Sequence, residues 1–148
     1  MRVVSVNTSE RKGTRKTARE EVVLKENWGV EGDSHADGSH RQLSLLAVED
    51  IDYMRGLGAI VKPGDFAENI TTEGVELSAY PIGTRFRIGT DIELVLTQIG
   101  KECHYGCDIR QQVGTCIMPK KGVFCRILKG GVVRPGDSFE VLEAPAGE

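Results

Sequence analysis

Aromatic residues are scarce: one Trp, three Tyr and four Phe make up 5% of the 148 residues. So few rings leave the core to be filled by aliphatic side chains, within the 39% of residues that are hydrophobic. Proline is also sparse at five, whereas glycine is abundant at 18, a balance that points to tight turns and short strands. Neither sign of charge dominates, because 19 Lys and Arg meet 22 Asp and Glu. A net charge of -3 gives no basis for nucleic acid or an anionic membrane as the main partner. No apolar run approaches the roughly 20 residues that cross a bilayer. Met1 to Val6 is too short for a signal-peptide core, so the cytoplasm is the expected location. No cysteine precedes residue 103, and Cys103, Cys107, Cys116 and Cys125 all fall in the last third. In a reducing compartment such thiols are free, metal-bound or reactive rather than bridged.

What is present reads as one domain. A chain of this length buries about two-thirds of its unfolded surface in a single core. No repeat, low-complexity tract or linker divides it, so residues 1–143 are expected to form one unit with 144–148 as a frayed tail. Arg2 to Asn7 alternates Val3, Ser5 and Asn7 against Val4 and Val6, the period-2 signature of a strand. Thr8 to Arg19 turns polar and basic and reads as a loop. Its Arg11, Lys12, Arg15, Lys16 and Arg19 suit an anion or a solvated surface. Val22 to Leu24 reads as a second strand, and Gly29 to Asp37 as a loop presenting Asp33, His35 and Asp37. Gln42 to Leu46 reads as a buried strand. Val48, Ile51, Tyr53, Met54 and Leu57 recur at helical spacing, with Gly56 and Gly58 behind them. From residue 60 onward the pattern is β: Asn69 to Thr72, a hairpin of 85–89 and 92–97 through Gly89-Thr90-Asp91, Val123 to Leu128, and Phe139 to Leu142. Short strands at close spacing with one clear helix predict a mainly β fold, a small closed or strongly curved β-barrel with a few short helices.

The chemical candidate is Cys103, placed just after the apolar strand that ends at Thr97 and flanked by Lys101, Glu102 and His104. The thiolate is the reactive form; Lys101 or a protonated His104 favours it and Glu102 opposes it. Zinc on Cys103, His104, Cys107 and Cys116 is a competing reading. Its spacing is poor, because three residues separate Cys103 from Cys107 and there is no second CxxC pair. A regulatory disulfide between Cys103 and Cys107 is a further alternative.

Six segments in order carry a resemblance. They are Gly29-Val30-Glu31-Gly32-Asp33-Ser34-His35, His40-Arg41-Gln42-Leu43-Ser44-Leu45-Leu46, the run from Pro63 through Phe66-Ala67-Glu68-Asn69 to Gly74, Pro81-Ile82-Gly83-Thr84, Gln98 to His104, and Arg134-Pro135-Gly136-Asp137. Together they resemble MOSC domains, a family named after the C-terminal domain of molybdenum cofactor sulfurase, and the resemblance spans nearly the whole chain. It implies a β-barrel-like fold and a site that binds a molybdopterin-type cofactor or passes sulfur to it. Cys103 matches the family's characteristic cysteine, which implies a persulfide carrier or a molybdenum ligand. Ala67 stands where the family pattern usually has Gly, and Glu102 where Pro often precedes the cysteine.

An anionic pterin needs cations and amide donors. Arg15, Lys16, Arg41, Lys101 and Arg126 are the candidate cations, Arg41 and Lys101 foremost because they lie inside matching motifs. Glu68 and Asn69 either orient the ligand or satisfy backbone groups in a buried turn, and Asp33 and His35 are candidates for proton transfer or for closing the pocket. No lysine sits in an evident Schiff-base motif, so pyridoxal phosphate is not expected. The resemblance therefore implies a carrier that receives sulfur from a cysteine desulfurase and passes it to a molybdenum-cofactor enzyme. Two alternatives stand beside it: a small molybdenum oxidoreductase acting on N-hydroxylated compounds with a separate electron donor, and a non-catalytic molybdopterin storage module.

Overall fold

The computed structural model describes residues 1–9, 16–33, 42–100 and 121–143. Eleven strands, one α-helix and one 3-10 turn follow in order among them: β1 (Arg2–Thr8), β2 (Thr17–Arg19), β3 (Val22–Lys25), β4 (Gly29–Val30), β5 (Leu43–Ala47), α1 (Val48–Gly56), β6 (Ile70–Glu73), the 3-10 turn (Leu77–Ala79), β7 (Arg85–Ile88), β8 (Ile92–Ile99), β9 (Val123–Lys129), β10 (Gly131–Val133) and β11 (Phe139–Glu143). Eight form one sheet in the order β11-β7-β8-β9-β5-β6-β1-β2, and β10-β3-β4 form a second, smaller one. All named pairs are antiparallel except β5 with β6.

The mainly β expectation holds, but no ladder closes the sheet into a barrel among the described residues. The sheet curls far enough for β1 to meet the lead-in to β11 by a single bridge between Arg2 and Ser138. Three backbone hydrogen bonds reinforce it: Val3 N to the Asp137 oxygen, Gly136 N to the Val3 oxygen, and Phe139 N to the Met1 oxygen. Curvature of this degree encloses one aliphatic core. Val3, Val6, Leu43, Leu45, Ile70, Phe86, Ile88, Leu94, Leu96, Val123, Cys125, Ile127 and Phe139 all belong to it. The few rings meet here, Phe86 lying 5.2 Å from Phe139 and edge-on to Tyr80 at 6.0 Å.

Alternation sets which side chains enter. Along β7, and along β8 as far as Leu96, every second residue is buried, and Gly89 at φ +62° supplies the left-handed residue that closes their hairpin. Helix α1 follows β5 directly, with Glu49 and Asp50 in its first turn and Arg55 in its last, which suits the helix dipole. Its Ile51 and Met54 pack with Leu46, Ala59, Val61, Phe66 and Phe124 in a second, smaller cluster. Leu46 and Phe124 neighbour inward-facing residues of β5 and β9, so this cluster covers the outer face of the sheet.

Three short elements differ from the sequence expectation. Thr17–Arg19 pairs with β1 although its polar composition reads as loop, Gly29–Val30 pairs with β3 inside the Gly-Asp stretch, and Gly131–Val133 pairs with β3 beyond the Gly130 turn. In each case a neighbouring strand supplies the hydrogen bonds, a contact that local pattern does not encode.

Gly130 lies against β3: a Cβ there would collide with the Leu24 carbonyl oxygen and carbon and the Glu26 nitrogen. The Gly130→Ala protein is therefore expected to lose at least about 2 kcal/mol of stability, since backbone cannot yield as a flexible side chain does. Urea unfolding against the parent protein measures it.

Candidate functional site

The polar side chains gather on the outer face of β1, β6 and β5, and a bulge puts two of them there. The β1–β6 register shifts between Val3 and Ser5. Val3 and Val6, which strict alternation would place on opposite faces, therefore both enter the core, and Ser5 and Asn7 turn outward together. Thr71 of β6 and Ser44 of β5 alternate with core residues Ile70, Leu43 and Leu45 and join them. The turn of residues 62–69 folds over this face, so all four are buried.

Asn69 is the most heavily bonded member. Its Oδ1 accepts from the Ser44 amide at 3.1 Å and the Ser44 hydroxyl at 3.1 Å, while its Nδ2 donates to the Asn7 carbonyl at 3.3 Å. Its own amide donates to the Ser44 carbonyl at 2.9 Å, and its carbonyl accepts from the Asn7 amide at 2.7 Å. One residue thus stitches β5 to β1 just ahead of the first residue of β6.

Glu68 lies beside it, wholly buried. Its Oε2 accepts from the Gly64 amide at 3.0 Å and the Thr71 hydroxyl at 2.8 Å, whereas Oε1 has no hydrogen-bond partner among the described residues. Burial pushes its pKa up to about 7; the Gly64 amide, the Thr71 hydroxyl and the amides of Glu68 and Phe66 pull the other way without prevailing.

The same turn grips a second group. The Gly64 carbonyl accepts from the Lys16 amide at 2.8 Å, and Gly64 sits at φ +95° with the Lys16 carbonyl so close that a Cβ would collide with it. The Lys16 Nζ donates to Asp33 Oδ1 at 2.8 Å and to the Ser9 hydroxyl at 3.1 Å, and Asp33 Oδ1 also accepts from the Ser9 amide at 2.9 Å. Both charged side chains are out of solvent, at 0% and 1% exposure. Ser9 and Lys16 bracket residues 10–15, and Asp33 immediately precedes residues 34–41, so one buried ion pair fixes the bases of both segments. Residues 101–120 have a fixed base too, where the Gly100 amide donates to the Gly122 carbonyl at 2.6 Å between the ends of β8 and β9.

Of the residues singled out from sequence, Lys16, Asp33, Glu68 and Asn69 are brought into one network. Arg126 stands apart on the exposed side of β9, donating to Asn27 Oδ1 at 3.0 Å. Arg15, His35, Arg41, Lys101 and Cys103 lie outside the described residues, as do the zinc and disulfide candidates His104, Cys107 and Cys116 and the tail 144–148. Cys125 is buried among core aliphatics, and burial pushes its thiol well up, which makes it a poor nucleophile. Sequence reasoning missed Ser5, Asn7, Ser44 and Thr71 as members. The available signal was a polar residue inside each of three apolar strands, where a buried hydroxyl or amide needs a partner. Among the described residues no group of three or more His, Cys, Asp or Glu is placed to hold a metal ion. No helix among them is long and apolar enough to cross a membrane.

The comparisons with known proteins agree with this architecture. The MOSC domain family model matches residues 32–140. This chain belongs to the MOSC domain family, which is associated with molybdenum-cofactor proteins. The YuaD protein from Bacillus subtilis shares the fold at 16% identity and a TM-score of 0.78, over 93% of each chain. YiiM from Geobacillus stearothermophilus is 20% identical with a TM-score of 0.72, over 99% of this chain and 77% of its own. YiiM from Escherichia coli is 21% identical with a TM-score of 0.66, over 98% and 71%. No curated protein matches the chain.

The described network bears on how a molybdopterin-type group would fit. The Lys16 charge is matched by Asp33 inside the protein, and the Asn69 amide is taken up by Ser44 and Asn7. Glu68 offers a single open oxygen, and that oxygen is buried. Among the described residues these four bond to one another, to Ser9, Ser44, Thr71 and Asn7 and to the 62–69 turn, beneath the bases of the loops.

Two substitutions test the network. Lys16→Met removes the cation paired with the buried Asp33 carboxylate and is expected to cost about 3–5 kcal/mol, part of which Asp33→Leu restores in the double variant; thermal unfolding of the three proteins measures it. Ala67 sits at φ +64° where the family pattern usually has Gly. A left-handed Ala costs about 1–2 kcal/mol, and Gly returns about 0.5–1 of that through the unfolded chain. Ala67→Gly is therefore expected to raise the melting temperature by a few degrees.

Proposed function

We propose that this chain is a sulfur-carrier or molybdenum-cofactor-handling protein in which the thiol of Cys103 carries the transferred sulfur. The observation that carries this reading is the extent of the family match, residues 32–140, which includes Cys103 and both strands flanking its segment. The position of Cys103 supports it as well: it follows β8 by four residues, just beyond a base pinned through Gly100 and Gly122.

The sulfur step is an exchange at a persulfide. The Cys103 thiolate attacks the outer sulfur of a persulfide held by a cysteine desulfurase, a new S–S bond forms on Cys103, and the old one breaks to release the donor thiolate. No external oxidant is needed, because the sulfur moves at a constant oxidation level. Lys101 and His104 flank the attacking thiol in sequence and favour its ionised form, and Glu102 opposes it. A molybdenum-cofactor enzyme is the acceptor. Contacts to an anionic pterin or its phosphate are assigned to Arg15, His35, Arg41 and Lys101, in the segments whose bases the polar network and the Gly100–Gly122 pair hold. Cys125 plays no part in transfer.

Intact-mass spectrometry after incubation with a cysteine desulfurase, pyridoxal phosphate and cysteine tests the assignment. The expected result is a gain of one sulfur that reductant removes, kept by Cys125→Ala and lost in Cys103→Ala. No gain on the parent protein, or an equal gain on Cys103→Ala, overturns it.

A further inference from the structure

The Glu68 carboxyl does not act in the transfer step, yet it occupies the point where the polar network joins the turn over it. Its Oε2 holds the Gly64 amide, the Gly64 carbonyl holds the Lys16 amide, and the Lys16 side chain holds Asp33 and Ser9. A carboxyl with one oxygen bonded and the other sealed from solvent tolerates the neutral state far better than the charged one. A carboxylate there gains hydration at Oε1 only if the turn lifts. We propose that Glu68 is a proton-operated latch: its neutral carboxyl holds the 62–69 turn against Lys16, and its ionisation loosens that turn together with the bases of segments 10–15 and 34–41. The consequence for sulfur or cofactor handling rests on the function proposed above; the latch itself does not.

Among the described residues few charges oppose or assist it. From β1 the neutral Asn7 side-chain amide donates to the Glu68 main-chain carbonyl at 3.2 Å, and from β6 the Thr71 hydroxyl donates to Glu68 Oε2 at 2.8 Å. On the turn, Asp65 is paired with Lys62 at 2.8 Å, and across from it Lys16 is paired with Asp33 at 2.8 Å. No charged group among those causing the Glu68 shift offsets its burial. The sign follows from a proton held more tightly in the closed form, where the pKa is about 7, than in the opened form, near 4.5. The latch is at full strength below about 4.5, weakens as the pH rises toward 7, and levels off above it.

Hydrogen exchange of single amides tests this on the isolated protein, with rates corrected for the intrinsic pH dependence of exchange. Between pH 5 and pH 8 the Lys16 amide is expected to lose protection on the order of 50-fold by linkage, while remaining less protected than Leu94 in β8, which exchanges only on global opening. Glu68→Gln, a permanent mimic of the neutral form, is expected to abolish the loss. Thr71→Val removes a donor to the ionised form, so it is expected to move the levelling-off to higher pH and serves as the independent check where Glu68→Gln folds poorly. Constant protection of Lys16 in the parent protein, protection of Lys16 as high as that of Leu94 at every pH, or an unchanged fall in Glu68→Gln overturns the proposal. Loading of sulfur on Cys103, read separately by mass, distinguishes a failed latch from a failed assignment of function.

Discussion

A single side-chain amide sets the geometry on which the candidate site rests. Asn69 bonds Ser44 and Asn7 through both its main chain and its side chain, spanning strands that belong to distant parts of the sequence. Buried backbone groups at strand ends need partners, and here those of Asn7 in β1 and Ser44 in β5 are satisfied by one residue inside the protein. A buried network of this kind stabilises only when nearly every member is paired, so the positions of Ser5, Asn7, Ser44 and Thr71 are mutually dependent. The open oxygen of Glu68 is the exception, and its location at the joint with the turn gives that exception a consequence.

The two faces of the sheet divide the work. The inner face is aliphatic and holds Cys125 where neither base nor oxidant reaches it. The outer face is covered in two parts, by α1 over the apolar cluster around Phe124 and by the 62–69 turn over the polar one. Lys16 and Asp33, which charge alone nominates as ligand contacts, neutralise each other there.

Much of the fold was legible before any coordinates. The hairpin at Gly89, the helix beginning at Val48, and strands β1, β3, β5, β6, β9 and β11 follow from alternation, helical spacing and turn residues, all of them local. Strands β2, β4 and β10 were not legible, because each is two or three residues long, without alternation of its own, and exists only by pairing with another strand. The facing of β1 was misread for a different reason: the bulge after Val3 inverts the alternation, and no residue between Val3 and Ser5 announces it. Of the site, Glu68 and Asn69 were marked by the motif around Ala67, and the structure shows both buried and hydrogen-bonded to backbone groups. Asn7 and Ser44 were visible only as polar interruptions of apolar strands.

The pinned base at Gly100 and Gly122 separates two kinds of sequence constraint. Residues in β8 and β9 answer to the core, since Leu94, Leu96, Val123 and Ile127 must fit one another. The segment between the two glycines enters and leaves the sheet at adjacent points, so its length and composition are free to drift without disturbing strand register. Selection on chemistry and selection on folding therefore act on different stretches of the same chain. Relatives only about one-fifth identical can in this way keep a common sheet while diverging in what they carry on it.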